Sequence, residues 1–115
     1  MTSFENGRRA EAVAAEFLQR KGCQIVAQNW RTRHCEIDII ALRGDVVYFC
    51  EVKYRRSAQA GTGIDYITPQ KVRQMCFAAE SWLHIRQWNG AYQLCAIEVS
   101  GSAFVITRVE KDITV

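Results

Sequence analysis

Gly44-Asp45, set between two runs rich in β-branched and apolar residues, is the feature that most restricts how this chain can fold. Cys35–Leu42 and Val46–Tyr54 have the composition of strands. Arg43-Gly44-Asp45 between them is turn material, with Gly44 free to take a positive φ. A two-residue loop at Gly44-Asp45 makes Arg43 face Val46. Counting outward from that pair, Asp38 faces Glu51 and Glu36 faces Lys53. Alternate residues share a face of a strand, so Glu36, Asp38, Glu51 and Lys53 fall together, at the end away from the turn. A three-residue loop would shift the parity and separate them.

Such an alignment is unfavourable unless something compensates. Two carboxylates across a strand pair repel, and partial burial raises the cost. The remainder of that face, Ile40, Leu42, Val47 and Phe49, is apolar and expected to pack against another element. A divalent cation offsets the repulsion, because hard cations prefer carboxylate oxygens. Lys53, one pleat beyond Glu51, is placed to meet a phosphate beside that cation. The competing reading is a solvated strand end with two cross-strand ion pairs.

Asp38, a gap of a dozen residues, then Glu51-Val52-Lys53 resembles the signature of the restriction-endonuclease-like PD-(D/E)xK superfamily. Taken with RRAEAVAAEFL upstream and ITPQKVRQMCFAAESWL downstream, CEIDIIA and FCEVKYR make the chain resemble the YraN family of predicted endonucleases, over about Gly7 to Leu83. The bare superfamily motif is weak, and the ordered set GxxxE…EID…EVK…K is more specific. Ile37 stands where the superfamily name has proline, and Cys35 where a glycine usually precedes Glu-Ile-Asp.

The resemblance implies an α/β restriction-endonuclease-like fold: a mixed central sheet of about five strands flanked by helices. It also implies Mg²⁺ or Mn²⁺ held by Asp38 and Glu51 with the backbone carbonyl of Val52, and Lys53 as the catalytic lysine. By similarity to Holliday-junction-resolvase-like members, Glu11 completes the acidic site, Glu36 supports it, and Lys71 and Gln70 contact phosphate. Such relatives act as dimers, which makes a homodimer an expectation.

The order of elements read along the chain is α-β-β-β-α-β-β, in one domain spanning residues 1–115. Residues 1–6 read as frayed, with Ser3 or Asn6 available as caps. A helix follows from about Gly7 to Lys21, closed by Gly22. Glu11 lies on its apolar stripe with Ala14, Ala15 and Leu18, where it either ends the buried face or points at the carboxylates. Cys23–Trp30 reads as the first strand. Ser57–Thr68 reads as a glycine-containing loop beside the site, either closing over a substrate or simply connecting. Thr68-Pro69 opens a second helix running to about Ile85. Ala91–Val99 and Ala103–Val109 read as the last strands. Trp82 is expected in the core, while Trp30 and Trp88 are left open between core and base stacking.

No apolar run approaches the roughly 20 residues of a membrane span, and the N-terminus lacks the apolar stretch of a secretory signal, so a cytoplasmic protein is expected. The five cysteines form no CxxC pair, which argues against a zinc or dithiol site. They read as small hydrophobes in a reducing compartment, four in the core and one partly exposed. The net charge of +3 says little. The distribution says more: Arg31 and Arg33 precede the acidic strand, Lys53, Arg55 and Arg56 follow it, and Arg8, Arg9, Lys71 and Arg73 lie near the helix starts. Each of these is equally a solvated strand or helix end.

The function expected is metal-dependent hydrolysis of a nucleic-acid phosphodiester, with DNA as the partner and Arg31, Arg33, Arg55, Arg56, Gln70 and Lys71 contacting it. Branched, nicked or single-stranded DNA and RNA all fit. The rivals are a nucleic-acid-binding module of the same fold with structural acids, and an interaction protein with no nucleic-acid role.

Overall fold

A computed structural model describes residues 1–57 and 67–113. The loop expected to border the site lies largely in 58–66, outside the described residues.

The first helix, α1 (Ser3–Arg20), begins earlier than the sequence suggests. Thr2 is the cap, its hydroxyl accepting from the Glu5 N–H at 3.1 Å, so neither Ser3 nor Asn6 serves. At the other end Gly22 sits at φ 90°, with its N–H on the Gln19 carbonyl and the Cys23 N–H on Leu18. That pair of bonds is the Schellman arrangement, which a residue with a Cβ would strain. Three strands follow: β1 (Gln24–Arg31), β2 (Glu36–Arg43) and β3 (Val46–Arg55). Then come α2 (Pro69–Arg86), β4 (Ala91–Ser100) and β5 (Val105–Glu110). Thr68 caps α2 by accepting from the Lys71 N–H, as expected. The last strand starts two residues late, because the turn after Ser100 runs on through Phe104, itself at φ 53°.

The five strands form one sheet in the order β1-β2-β3-β4-β5, antiparallel throughout except for the parallel pair β3–β4. A parallel neighbour needs a long crossover, and α2 lies on that connection. The turn is the two-residue loop read from the sequence: Arg43 pairs with Val46, and the register runs to Ile39 opposite Cys50. Gly44 at φ 60° occupies the first loop position, where a type II′ turn requires glycine.

The sheet carries a helix on each face. Ala10, Ala14, Ala15 and Leu18 of α1 pack on Ile39, Cys50, Ile97 and Val99. Val72, Met75, Ala79 and Trp82 of α2 pack on Ile40, Val47, Phe49 and Leu94. The small residues of α1 let its backbone come close to the sheet, while the opposite face is filled by large side chains. Phe49 and Trp82 meet edge to face at 5.6 Å. The cysteines are less buried than expected: Cys50 and Cys95 are buried, but Cys23, Cys35 and Cys76 are only half-buried. Cys23 and Cys35 flank strands rather than lying inside them, which accounts for their partial exposure.

Candidate acidic site and basic cleft

The β2–β3 ladder stops at Ile39–Cys50, one pair short of the two carboxylates. Beyond that pair the Val52 N–H donates to Asp38 Oδ2 at 2.8 Å. A side-chain oxygen thus takes over a backbone hydrogen bond, and the strands part there. The alignment of Glu36 with Lys53 expected from the sequence is therefore not formed. Glu36 turns instead to Arg31, its partner across β1–β2, at 3.3 Å.

Asp38 and Glu51 still come together. The Glu51 carboxyl is pushed up to about 7, first by burial and then by the charge of Asp38, with Lys71 acting the other way. Asp38 is raised as well, mainly by burial, against the pull of the Val52 N–H and a hydrogen bond with Glu51. Each carboxyl thus makes ionisation of the other harder, as closely placed like charges do. The burial has a visible source: Ile37, Phe49, Cys50 and Met75 wall a small space beside Glu51 and Glu36.

Glu11 approaches from the α1 side. Its Oε1 accepts from Asn29 Nδ2 at 3.2 Å, and its acidity is weakened by burial and by the charge of Asp38. Asn29 lies on β1 between the pairs Gln28–Ile39 and Trp30–Ile37, hence across from Asp38, and holds φ 51°. Asparagine tolerates that conformation better than most residues. The sequence reading missed Asn29, although a turn-former inside an apolar strand was a signal.

Lys71, expected to meet phosphate, lies 3.2 Å from Glu51. The first turn of α2 thus delivers an ammonium to the acid pair. Lys53 is exposed on β3 two residues past Glu51, in register with Glu98 of β4. Glu98 was also missed: it is only 6% exposed, and Thr107 donates to its Oε1 at 2.7 Å. A charged residue in an otherwise apolar strand gave no hint of its burial.

Next to the acids lies a cleft of about 640 Å³ between the β1–β2 turn and the first half of α2. Arg31, Arg33, Gln70 and Lys71 line it, together with His34 and Arg73. The turn is fixed by the Thr32 hydroxyl, which accepts from the His34 N–H. Arg55 and Arg56 lie elsewhere, at the C-terminal end of β3, where the Arg55 carbonyl accepts from Gly101.

Among the described residues, no three His, Cys, Asp or Glu side chains converge as a ligand cage. What Asp38 and Glu51 offer is two carboxylates with mutual repulsion and an adjacent backbone. That fits Mg²⁺, which takes one or two carboxylates and keeps several waters.

A family model described as "Uncharacterised protein family UPF0102" matches residues 10–107. The chain belongs to UPF0102. It is 43% identical over 100 residues to a UPF0102 protein of Chlorobium chlorochromatii, covering 87% of this chain and 75% of that one. It is 38% identical over 96 residues to one from Pseudomonas fluorescens, covering 84% and 79%. The matched stretch of this UPF0102 protein contains Glu11, Asp38, Glu51, Lys53 and Lys71. No helix among the described residues is long and apolar enough to cross a membrane.

Proposed function

We propose that this UPF0102 protein is a metal-dependent nuclease of the restriction-endonuclease-like type, acting on DNA. The observation that carries the reading is the Asp38–Glu51 pair, half-buried, repelling, and pushed toward neutrality. A fold keeps such a pair at a cost, and a divalent cation offsets that cost. Asp38 and Glu51 would hold the ion, with the Val52 carbonyl beside them. When bound, Mg²⁺ or Mn²⁺ neutralises the scissile phosphate and makes a water more acidic.

The chain's own residues supply the rest. The Val52 N–H fixes the Asp38 carboxylate in one orientation. Glu11, steadied by Asn29, closes the acidic side opposite α2. Lys71 pairs with Glu51 in the metal-free protein and, lining the cleft, would also be in place to meet a substrate phosphate. Lys53 stabilises charge developing on the phosphorus oxygens. Arg31, Arg33 and Arg73 give the cleft the charge to hold a phosphate backbone.

Purified protein is to be tested with Mg²⁺ or Mn²⁺ on branched, nicked, single-stranded and duplex substrates. Wild type cuts at least one of them. Lys53→Ala and Asp38→Asn fold and do not cut, and Asp38→Asn binds DNA at least as well, having lost a negative charge beside the phosphate. Equal cutting by wild type and both variants, or no cutting by wild type, would reject the enzyme in favour of a binding module.

A further inference from the structure

Phe77 is a large apolar side chain left 53% exposed, and it lines the basic cleft. It is not a stray surface residue at the edge of the core. Arg73 and Gln74 each lie three or four residues from both Gln70 and Phe77, so one stripe of α2 forms that wall. The opposite wall is the β1–β2 turn with Arg31, Arg33 and His34. The stripe starts beside Lys71, which touches Glu51, and six residues of helix carry it about 9 Å to Phe77.

The cleft therefore has two kinds of chemistry in sequence along one wall. Cations and amides come first, near the acids, and an open aromatic ring comes last. A duplex offers phosphates to such a wall but keeps its base faces stacked inside. Unpaired bases offer both a backbone for the arginines and π-faces for the ring.

The geometry points to Phe77 as a stacking platform for an unpaired base, making this cleft a site for single-stranded nucleic acid or for the unpaired arm of a branched one. The inference rests on the nuclease reading and narrows its substrate.

Binding is measured by fluorescence anisotropy in EDTA, so that no cutting intervenes, with a labelled oligo-dT and a blunt duplex of equal length. Wild type binds the single strand more tightly. Phe77→Ala weakens single-strand binding about tenfold, the loss of one stacked base, leaves duplex binding unchanged, and leaves the salt slope unchanged, since no cation is lost. Phe77→Trp retains single-strand binding. Equal binding of the two probes, with Phe77→Ala without effect, overturns the platform while leaving the nuclease reading intact if metal-dependent cutting persists. Phe77→Ala converting a dimer to a monomer with binding unchanged also overturns it, and assigns the ring to self-association. No binding of either probe at low salt overturns both readings.

Discussion

The two ends of the β2–β3 hairpin are built on the same two strands, and they do opposite work. Near the turn, Ile40, Val47 and Phe49 are at most 1% exposed and pack beneath α2. At the open end the strands carry Asp38 and Glu51, and the ladder gives out. One end stabilises by burying hydrocarbon. The other is destabilised by half-buried charge, and it persists because the first end holds the strands in place. The difference teaches where function can sit in a small domain: at the margin of the core, where rigidity is inherited and polarity is still reachable by solvent.

Breaking the apolar end has the largest effect. Phe49→Ala removes a ring packed against Trp82 and Tyr92 and costs about 3–5 kcal/mol of stability, measured by urea unfolding. A loss under about 1 kcal/mol would show that the apolar end is not the scaffold.

Neutralising the acidic end has the reverse sign. The folded state raises the Glu51 carboxyl from 4.5 to about 7, so the folded protein binds a proton more tightly than the unfolded chain. Its stability contribution is therefore fully present below pH 4.5 and is lost as pH rises through about 7. Glu51→Gln escapes that loss. In metal-free buffer at pH 8 it is more stable than wild type by up to about 3 kcal/mol, the equivalent of the shift. The gain shrinks toward zero as pH falls to 4.5. Thermal melts across that range check both sign and slope, and a Glu51→Gln protein less stable than wild type at pH 8 would contradict the comparison.

The smallest effect belongs to the rim. Arg31 and Glu36 pair across β1–β2 with side chains 68% and 61% exposed. Glu36→Gln changes stability by less than about 0.5 kcal/mol. A larger change would mean that Glu36 belongs to the acidic centre rather than beside it.

Legibility in the sequence followed the range of the interaction. The Gly44-Asp45 turn, the Thr68-Pro69 helix start and the Gly22 stop depend on a few neighbouring residues, and the parity of the hairpin follows from the turn. Those signals put Asp38 and Glu51 together. The interruption of the ladder was not legible, because an aspartate that takes a backbone hydrogen bond looks like any other strand residue until the strands are paired. The ion pair of Lys71 with Glu51 depends on how α2 docks after the crossover, and the bond of Asn29 to Glu11 on how β1 meets α1. Neither has a local signature. Phe77 shows the opposite case, since its place off the buried stripe of α2 was readable but its position in a basic cleft was not.

The most direct measurement for the central claim is calorimetric titration of Mn²⁺ into wild type and Glu51→Gln at pH 8 and pH 5. The account predicts one bound ion per chain for wild type at pH 8, much weaker binding at pH 5 where Glu51 holds its proton, and no binding by Glu51→Gln at either pH. Binding of equal strength by wild type and Glu51→Gln, or none by wild type at pH 8, would contradict it.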